Sequence, residues 1–191
     1  MAYLVKDSDE ALAALARTGD RQAFEVLVRR YKEPLYRFCR RYVGNADDAS
    51  DVLQDAFVAA WMGLQRYDER RSFAAWLQRI TLNKCRDFGR RGLVRRLFLT
   101  RFEREQPAEA ASAQAAATAD PNTERLARLE REVAALPPAY KEALLLTTFS
   151  GKSHLDAAKQ LGISVKAVEM RIYRAKQRLA GLMSDKPIHG R

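Results

Sequence analysis

Apolar residues recur at steps of three and four along almost the whole chain, and no stretch alternates with the two-residue period of a half-buried strand. The pattern predicts an all-α protein. Asp7 or Ser8 can cap a first helix, with Glu10 three residues after Asp7 as in a capping box. Leu12, Leu15 and Ala16 form its apolar face, and Gly19 suits the position just past its end. Asp20 caps a long second helix striped by Phe24, Leu27, Val28, Tyr31, Leu35, Phe38 and Tyr42. Pro34 lies within the stripe and should kink it, and Gly44 ends it. A third helix starts within Asn45 to Asp48 and buries Ala49, Val52, Leu53, Ala56, Phe57, Ala60 and Leu64. After the polar run YDERRS, Ser72 caps a fourth helix that buries Phe73, Trp76, Leu77 and Ile80.

Past Gly92 the stripes fade. GLVRRLFLTRFEREQ is basic, mildly apolar and helical at its start, while PAEAASAQAAATADPN is Ala-rich with too few large side chains to fold by burial. The expected organisation is two small helical domains, over 1–92 and 123–185, joined by a flexible linker over 93–122. In the second domain Leu126, Leu129, Val133 and Leu136 mark one helix, ended by Pro137 and Pro138. Tyr140, Leu144, Leu145 and Thr148 mark the next, ended by Gly151. Ser153 caps a short helix, Gly162 turns the chain, and Ser164 caps a long helix carrying Val168, Ile172, Ala175, Leu179 and Leu182. Ala158, Gly162 and Val168 supply the small residue, the positive φ and the core anchor of a helix-turn-helix.

The polar positions carry the chemistry. Asp47, Asp51 and Asp55 line one side of the third helix, and no basic residue lies between Asn45 and Met62. Spacing alone favours a solvated face whose early acids suit a helix N-terminus, over an external cation or basic partner. On the fourth helix Arg79, Asn83, Arg86 and Arg90 fall at steps of four, three and four, a face without acids that suits phosphates. The Asn83 amide can pair with a base edge. On the last helix Lys166, Glu169, Met170, Tyr173 and Arg174 face away from the core, toward a major groove. Arg171, Lys176 and Arg178 suit phosphate or solvent.

Charge supports this reading. Lys plus Arg number 34 against 24 Asp plus Glu, a net +10, which points to a polyanion: nucleic acid first, an anionic membrane surface second. No apolar run approaches the roughly 20 residues of a membrane span, and MAYLVKDSDEALA has no secretory h-region, so a cytoplasmic protein without membrane insertion is expected. Cys39 and Cys85 stand apart, as buried thiols rather than a disulfide or zinc site, and His154 and His189 are the only histidines. P-loop, GxSxG, HExxH and paired-Cys signatures are missing, so no catalytic residue, metal, cofactor or small-molecule substrate is expected.

The runs DDASDVLQDAFVAAW, SFAAWLQRITLNKCRDFGRR, LPPAYKEALLL and GISVKAVEMRIYRAKQRL together resemble the extracytoplasmic-function group of bacterial RNA polymerase sigma factors. The resemblance implies that Asp51, Gln54 and Asp55 dock on the clamp coiled coil of the largest catalytic subunit of core RNA polymerase, against the solvated-face reading. It implies that the loop from Tyr67 to Ser72 takes a flipped base of the melted minus-ten element. Tyr67, Arg71, Ser72, Arg79, Asn83, Lys84, Arg86 and Arg90 then contact that element, and Ser153, Lys166, Glu169, Met170, Arg171, Tyr173 and Arg174 the minus-35 element of promoter DNA. The linker would thread toward the polymerase active-site and RNA-exit channels. HLDAA at 154–158 and Glu169 depart from the usual pattern, which affects the minus-35 sequence preference. The resemblance further implies an anti-sigma factor. With no extra C-terminal domain in view, autoinhibition is expected to come from a separate protein. The alternative is a stand-alone helix-turn-helix transcription regulator, which would have no use for Asp51, Gln54 and Asp55.

Overall fold

The computed structural model describes residues 7–102 and 121–184, with side chains described for 7–92 and 124–181. All regular elements among the described residues are helical: α1 Asp9–Arg17, α2 Arg21–Val43, α3 Ala46–Gly63, α4 Phe73–Phe102, α5 Pro121–Ala135, α6 Pro138–Leu144, α7 His154–Leu161 and α8 Val165–Ser184. A 3-10 turn, Leu64–Arg66, follows α3, and a π-helical turn, Leu145–Phe149, continues α6.

The local chemistry sets most helix ends. Ser8 caps α1, Asp20 α2 and Asn45 α3, each side chain accepting a backbone N–H three residues on. Gly44 ends α2 at φ 97°. α2 runs through Pro34 as one continuous helix. Glu10 does not close a capping box. Its carboxylate accepts the N–H of Phe73 at 3.2 Å, and with Ser72, which accepts from Ala75 at 3.3 Å, it satisfies the start of α4. α1 is held on α2 by Asp9, which takes Arg30 at 2.6 Å and the Tyr31 hydroxyl.

α2, α3 and α4 pack their apolar stripes together beneath α1. Leu12, Leu27, Phe73, Leu77 and Leu82 are fully buried, and Phe24 meets Trp61 edge-on at 5.0 Å. Cys39 and Cys85 face each other inside this core, Sγ to Sγ 3.9 Å, as free thiols. The neighbouring Cys39 and burial push the Cys85 thiol up. α4 continues to Phe102, ten residues past the expected boundary at 92. The Ala-rich part of the expected linker lies outside the described residues.

The second half packs α6, α7 and α8 around Ala143, Leu144, Leu145, Leu146, Ala157, Val168 and Ala175. Ser153 caps α7, Gly162 turns at φ 68°, and Ser164 accepts the Ala167 N–H at 3.1 Å. α5 packs on α2 and α8 through its second half, where Leu129 lies against the core and Glu130 pairs with Arg40. Val133 and Leu136 are buried, but Leu126 is 57% exposed. Thr148, expected on an apolar face, is also exposed.

The halves do not stand apart. The end of α2 abuts α5 so closely that a Cβ on Gly44 would sit 3.0 Å from the Ala134 Cβ. Arg41 of α2 lies 4.4 Å over the ring of Phe149, and one continuous apolar core spans both halves.

Candidate nucleic-acid interface

Three polar surfaces sit on this scaffold. The first is the outer side of α3, where burial of Val52, Leu53 and Ala56 turns Asp51, Gln54 and Asp55 outward, all three exposed. The helix itself supplies no counter-charge, but α4 does: Arg91 Nη2 comes to 4.0 Å from Asp55 Oδ2, and Lys84 lines the same groove. Both side chains of the Arg91–Asp55 pair are more than half exposed, so water screens the pair and it leaves most of the acidic ridge uncompensated.

The second surface is the loop before α4 and the outer side of α4. The loop is built from inside by Tyr67, which is only 3% exposed. Its ring packs on Phe73 (5.6 Å) and Trp76 (5.0 Å), and its hydroxyl donates to the Arg71 carbonyl at 2.5 Å. Burial, with the Glu10 charge next, pushes this phenol up to about 12, so it stays a donor. Asp68 turns the loop by accepting the Arg70 N–H at 3.1 Å, and Glu69 is tied to Arg17 of α1 at 2.6 Å. Arg71 and Ser72 remain outside, exposed. The sequence places Tyr67 in the base-contacting set; the structure places its side chain under the loop, because its ring completes the aromatic cluster at the start of α4.

Along α4, Arg79, Asn83 and Arg90 are exposed, and Lys84 and Arg86 are half-buried. Arg79 shares a cleft with Arg71, Ser72 and four side chains of the second half, Lys152, Asp156, Lys159 and Gln160. Burial pushes the Lys152 ammonium down. Arg90 pairs with Asp87 one turn back. Arg86 is engaged most fully, its fork bonded to both oxygens of Glu142 at 2.8 and 2.6 Å and its third nitrogen to the Asn83 amide oxygen at 3.3 Å. That carboxylate holds the Arg86 guanidinium above its ordinary range.

The third surface is α8. With Val168, Ile172 and Ala175 buried, Lys166, Glu169, Met170, Tyr173 and Arg174 all point outward and are exposed, and Arg171 is half-buried. His154 at the start of α7 stands 3.6 Å from Glu169, so the two unusual residues of this motif are neighbours. Ser153 is occupied as a cap, accepting the Asp156 N–H at 3.1 Å and donating to its carboxylate at 2.6 Å.

Sequence reasoning missed Lys141, Glu142, Lys152 and Lys159. Lys141 and Glu142 are buried polar residues in an otherwise apolar helix, and no spacing rule links them to α2 or α4. Among the described residues no group of His, Cys, Asp and Glu could hold a metal ion, and no helix is long and apolar enough to cross a membrane.

Residues 27–106 match the family model of Sigma-70 region 2, and residues 126–179 that of Sigma-70, region 4. The chain is 39% identical to RNA polymerase sigma factor CnrH of Cupriavidus metallidurans over 93% of this chain and 95% of that one. It is 32% identical to ECF RNA polymerase sigma factor SigE of Mycolicibacterium smegmatis over 92% and 69%. The solved structure of CnrH in complex with the cytosolic domain of CnrY matches with a TM-score of 0.68 at 38% identity, over 94% of this chain and 100% of that one. The chain belongs to the extracytoplasmic-function RNA polymerase sigma factors. Sigma factors are regulatory, not catalytic, proteins.

Proposed function

We propose that the three surfaces divide the work of promoter recognition. The α3 ridge of Asp51, Gln54 and Asp55 docks on core RNA polymerase. The loop and α4 take the melted minus-ten strand through Arg71, Ser72, Arg79, Asn83, Lys84, Arg86 and Arg90. Tyr67 acts from beneath, holding the loop in shape. The helix-turn-helix of α7 and α8 reads duplex minus-35 DNA through Lys166, Glu169, Met170, Tyr173 and Arg174, with Arg171 and Ser153 placed for backbone contact. On this reading residues 1–92 serve polymerase binding and melting, residues 93–122 connect, and residues 123–185 serve upstream recognition. The chain acts in the cytoplasm, performs no catalysis itself, and is held in check by an anti-sigma factor, as CnrH is found with CnrY.

The observation that carries the assignment is the pairing, on one half, of an acidic ridge on α3 with a basic face on α4. A helix-turn-helix regulator that only binds DNA gains nothing from exposing uncompensated carboxylates beside its DNA face, since they repel phosphates. The test is Asp51→Ala with Asp55→Ala. Affinity for core polymerase should fall about tenfold or more, with helical content unchanged because both residues are exposed. Unaltered affinity in the folded double variant would remove the docking assignment.

A further inference from the structure

A guanidinium that contacts nucleic acid must be available to it, and Arg86 is not. Its fork holds both oxygens of Glu142, at 2.8 and 2.6 Å, in the planar two-bond geometry by which arginine also grips phosphate. Glu142 is 5% exposed and accepts the Tyr42 hydroxyl at 3.2 Å as well. Around this pair the second half lies directly on the first. Lys141 donates to the Tyr42 carbonyl at 2.9 Å, Gln78 of α4 donates to the Ser150 hydroxyl at 2.5 Å, and Arg41 covers Phe149. Gln78 and Arg86 are two turns apart on α4, and each is bonded to a residue of the second half. Asn83 between them is exposed, and its amide oxygen accepts from Arg86.

We infer that Glu142 is an intramolecular stand-in for a DNA phosphate, a clasp that holds the two halves together and withholds Arg86 from nucleic acid until they separate. The inference rests on the assignment of Arg86 to minus-ten DNA. It departs from the expectation that inhibition must come from a separate protein, because the inhibitory group lies on α6 of the same chain. The energetics are suitable for a switch. Glu142 is a desolvated charge and Arg86 a half-buried one, each tolerated only while the other is present. DNA that offers a phosphate to Arg86 therefore competes directly with Glu142. Apparent DNA affinity scales with the fraction of open chains, so any change that weakens the clasp should raise it.

The experiment uses the full chain with fluorophores at Met62→Cys and Lys176→Cys, both exposed and on opposite halves, while Cys39 and Cys85 stay unlabelled in the core. Energy transfer in the free protein reports closure. Anisotropy of a fluorescein-labelled, mixed-sequence single-stranded DNA dodecamer reports access to α4. Glu142→Gln should lower transfer and tighten DNA binding about tenfold. Glu142→Lys, which sets a third cation beside Arg86 and Lys141, should open the chain further. Arg86→Gln should lower transfer as Glu142→Gln does, without the gain in DNA binding, and the double Gln variant should open no further than either single one. Circular dichroism confirms that each variant keeps its helices. Glu25→Gln, which removes one exposed carboxylate from α2 away from the clasp, should stay within about twofold of the parent. Transfer in Glu142→Lys equal to the parent's would overturn the clasp. A DNA gain in Glu25→Gln matching that in Glu142→Gln would overturn it too, by showing a general charge effect. Opening without any DNA binding by parent or variants would instead sink the minus-ten assignment and leave the closure standing.

Discussion

Lys141 is a buried ammonium in the described contact between the two halves. It is 7% exposed, donates to the carbonyls of Tyr42 and Ala134, and lies 4.7 Å over the Tyr42 ring. Burial pulls its ammonium down to about 8, against the smaller upward pull of Cys85 and Glu142. Below that pH the folded chain holds a buried charge. Between about 8 and the ordinary lysine value the unfolded chain keeps a proton that the folded chain has lost, so this residue's contribution to stability rises with pH. Tyr42 and Cys85, both pushed up, work in the opposite direction as the unfolded chain deprotonates. Comparison with Lys141→Met cancels them. In urea denaturation the parent should gain about 2 kcal/mol on that variant from pH 8 to pH 10; a constant difference would mean that the ammonium reaches water. Nothing in the run AYKEALLL marks Lys141 or Glu142 as buried. The same limit hid the place of Tyr67, whose aromatic partners belong to another helix.

At the scale of elements, local rules carried far. Asp20, Asn45, Ser72, Ser153 and Ser164 cap the helices they were expected to cap. Gly44 and Gly162 both take positive φ at helix ends, yet they differ in surroundings. No heavy atom lies within 4 Å of a Cβ on Gly162, whereas one on Gly44 meets Ala134 at 3.0 Å. Gly162→Ala should therefore cost only backbone strain, about 1 kcal/mol. Gly44→Ala should cost more, because the same strain is joined by displacement of α5. Thermal unfolding followed by circular dichroism ranks the two, and equal losses would show that α5 yields freely. The capping box expected at Asp7 and Glu10 failed for a tertiary reason: Glu10 caps α4 instead. Leu126 failed for another, since α5 meets the rest of the protein through its second half.

For the whole molecule, the excess of 34 basic over 24 acidic residues sets how it meets DNA. Binding through phosphates releases counterions, so affinity for duplex DNA should fall at least roughly tenfold between about 50 and 200 mM salt. Titrations at several salt concentrations measure the slope, and a flat response would exclude phosphate contact by α4 and α8. The same charge distribution shows why the acidic ridge stands out. Its carboxylates are left mainly to water, whereas Asp9, Glu69 and Glu142 elsewhere in the chain are each taken by an arginine.

The acidic third helix, the basic fourth helix and the loop between them were legible in the sequence because helical faces are set by residues three and four apart, and caps by groups within one turn. Periodicity, capping and motif spacing together determined an all-α chain, most of its helix starts, its helix-turn-helix and the kinds of surface it presents. What the tertiary structure alone decided are the meetings between distant residues: Arg91 beside Asp55, Tyr67 beneath its own loop, and Glu142 in the fork of Arg86 across a separation of 56 residues. Such contacts depend on how two packed halves come to rest on each other, and no short-range pattern encodes that. The structure thereby showed that one arginine of the basic face, Arg86, is already gripped by a carboxylate of its own chain.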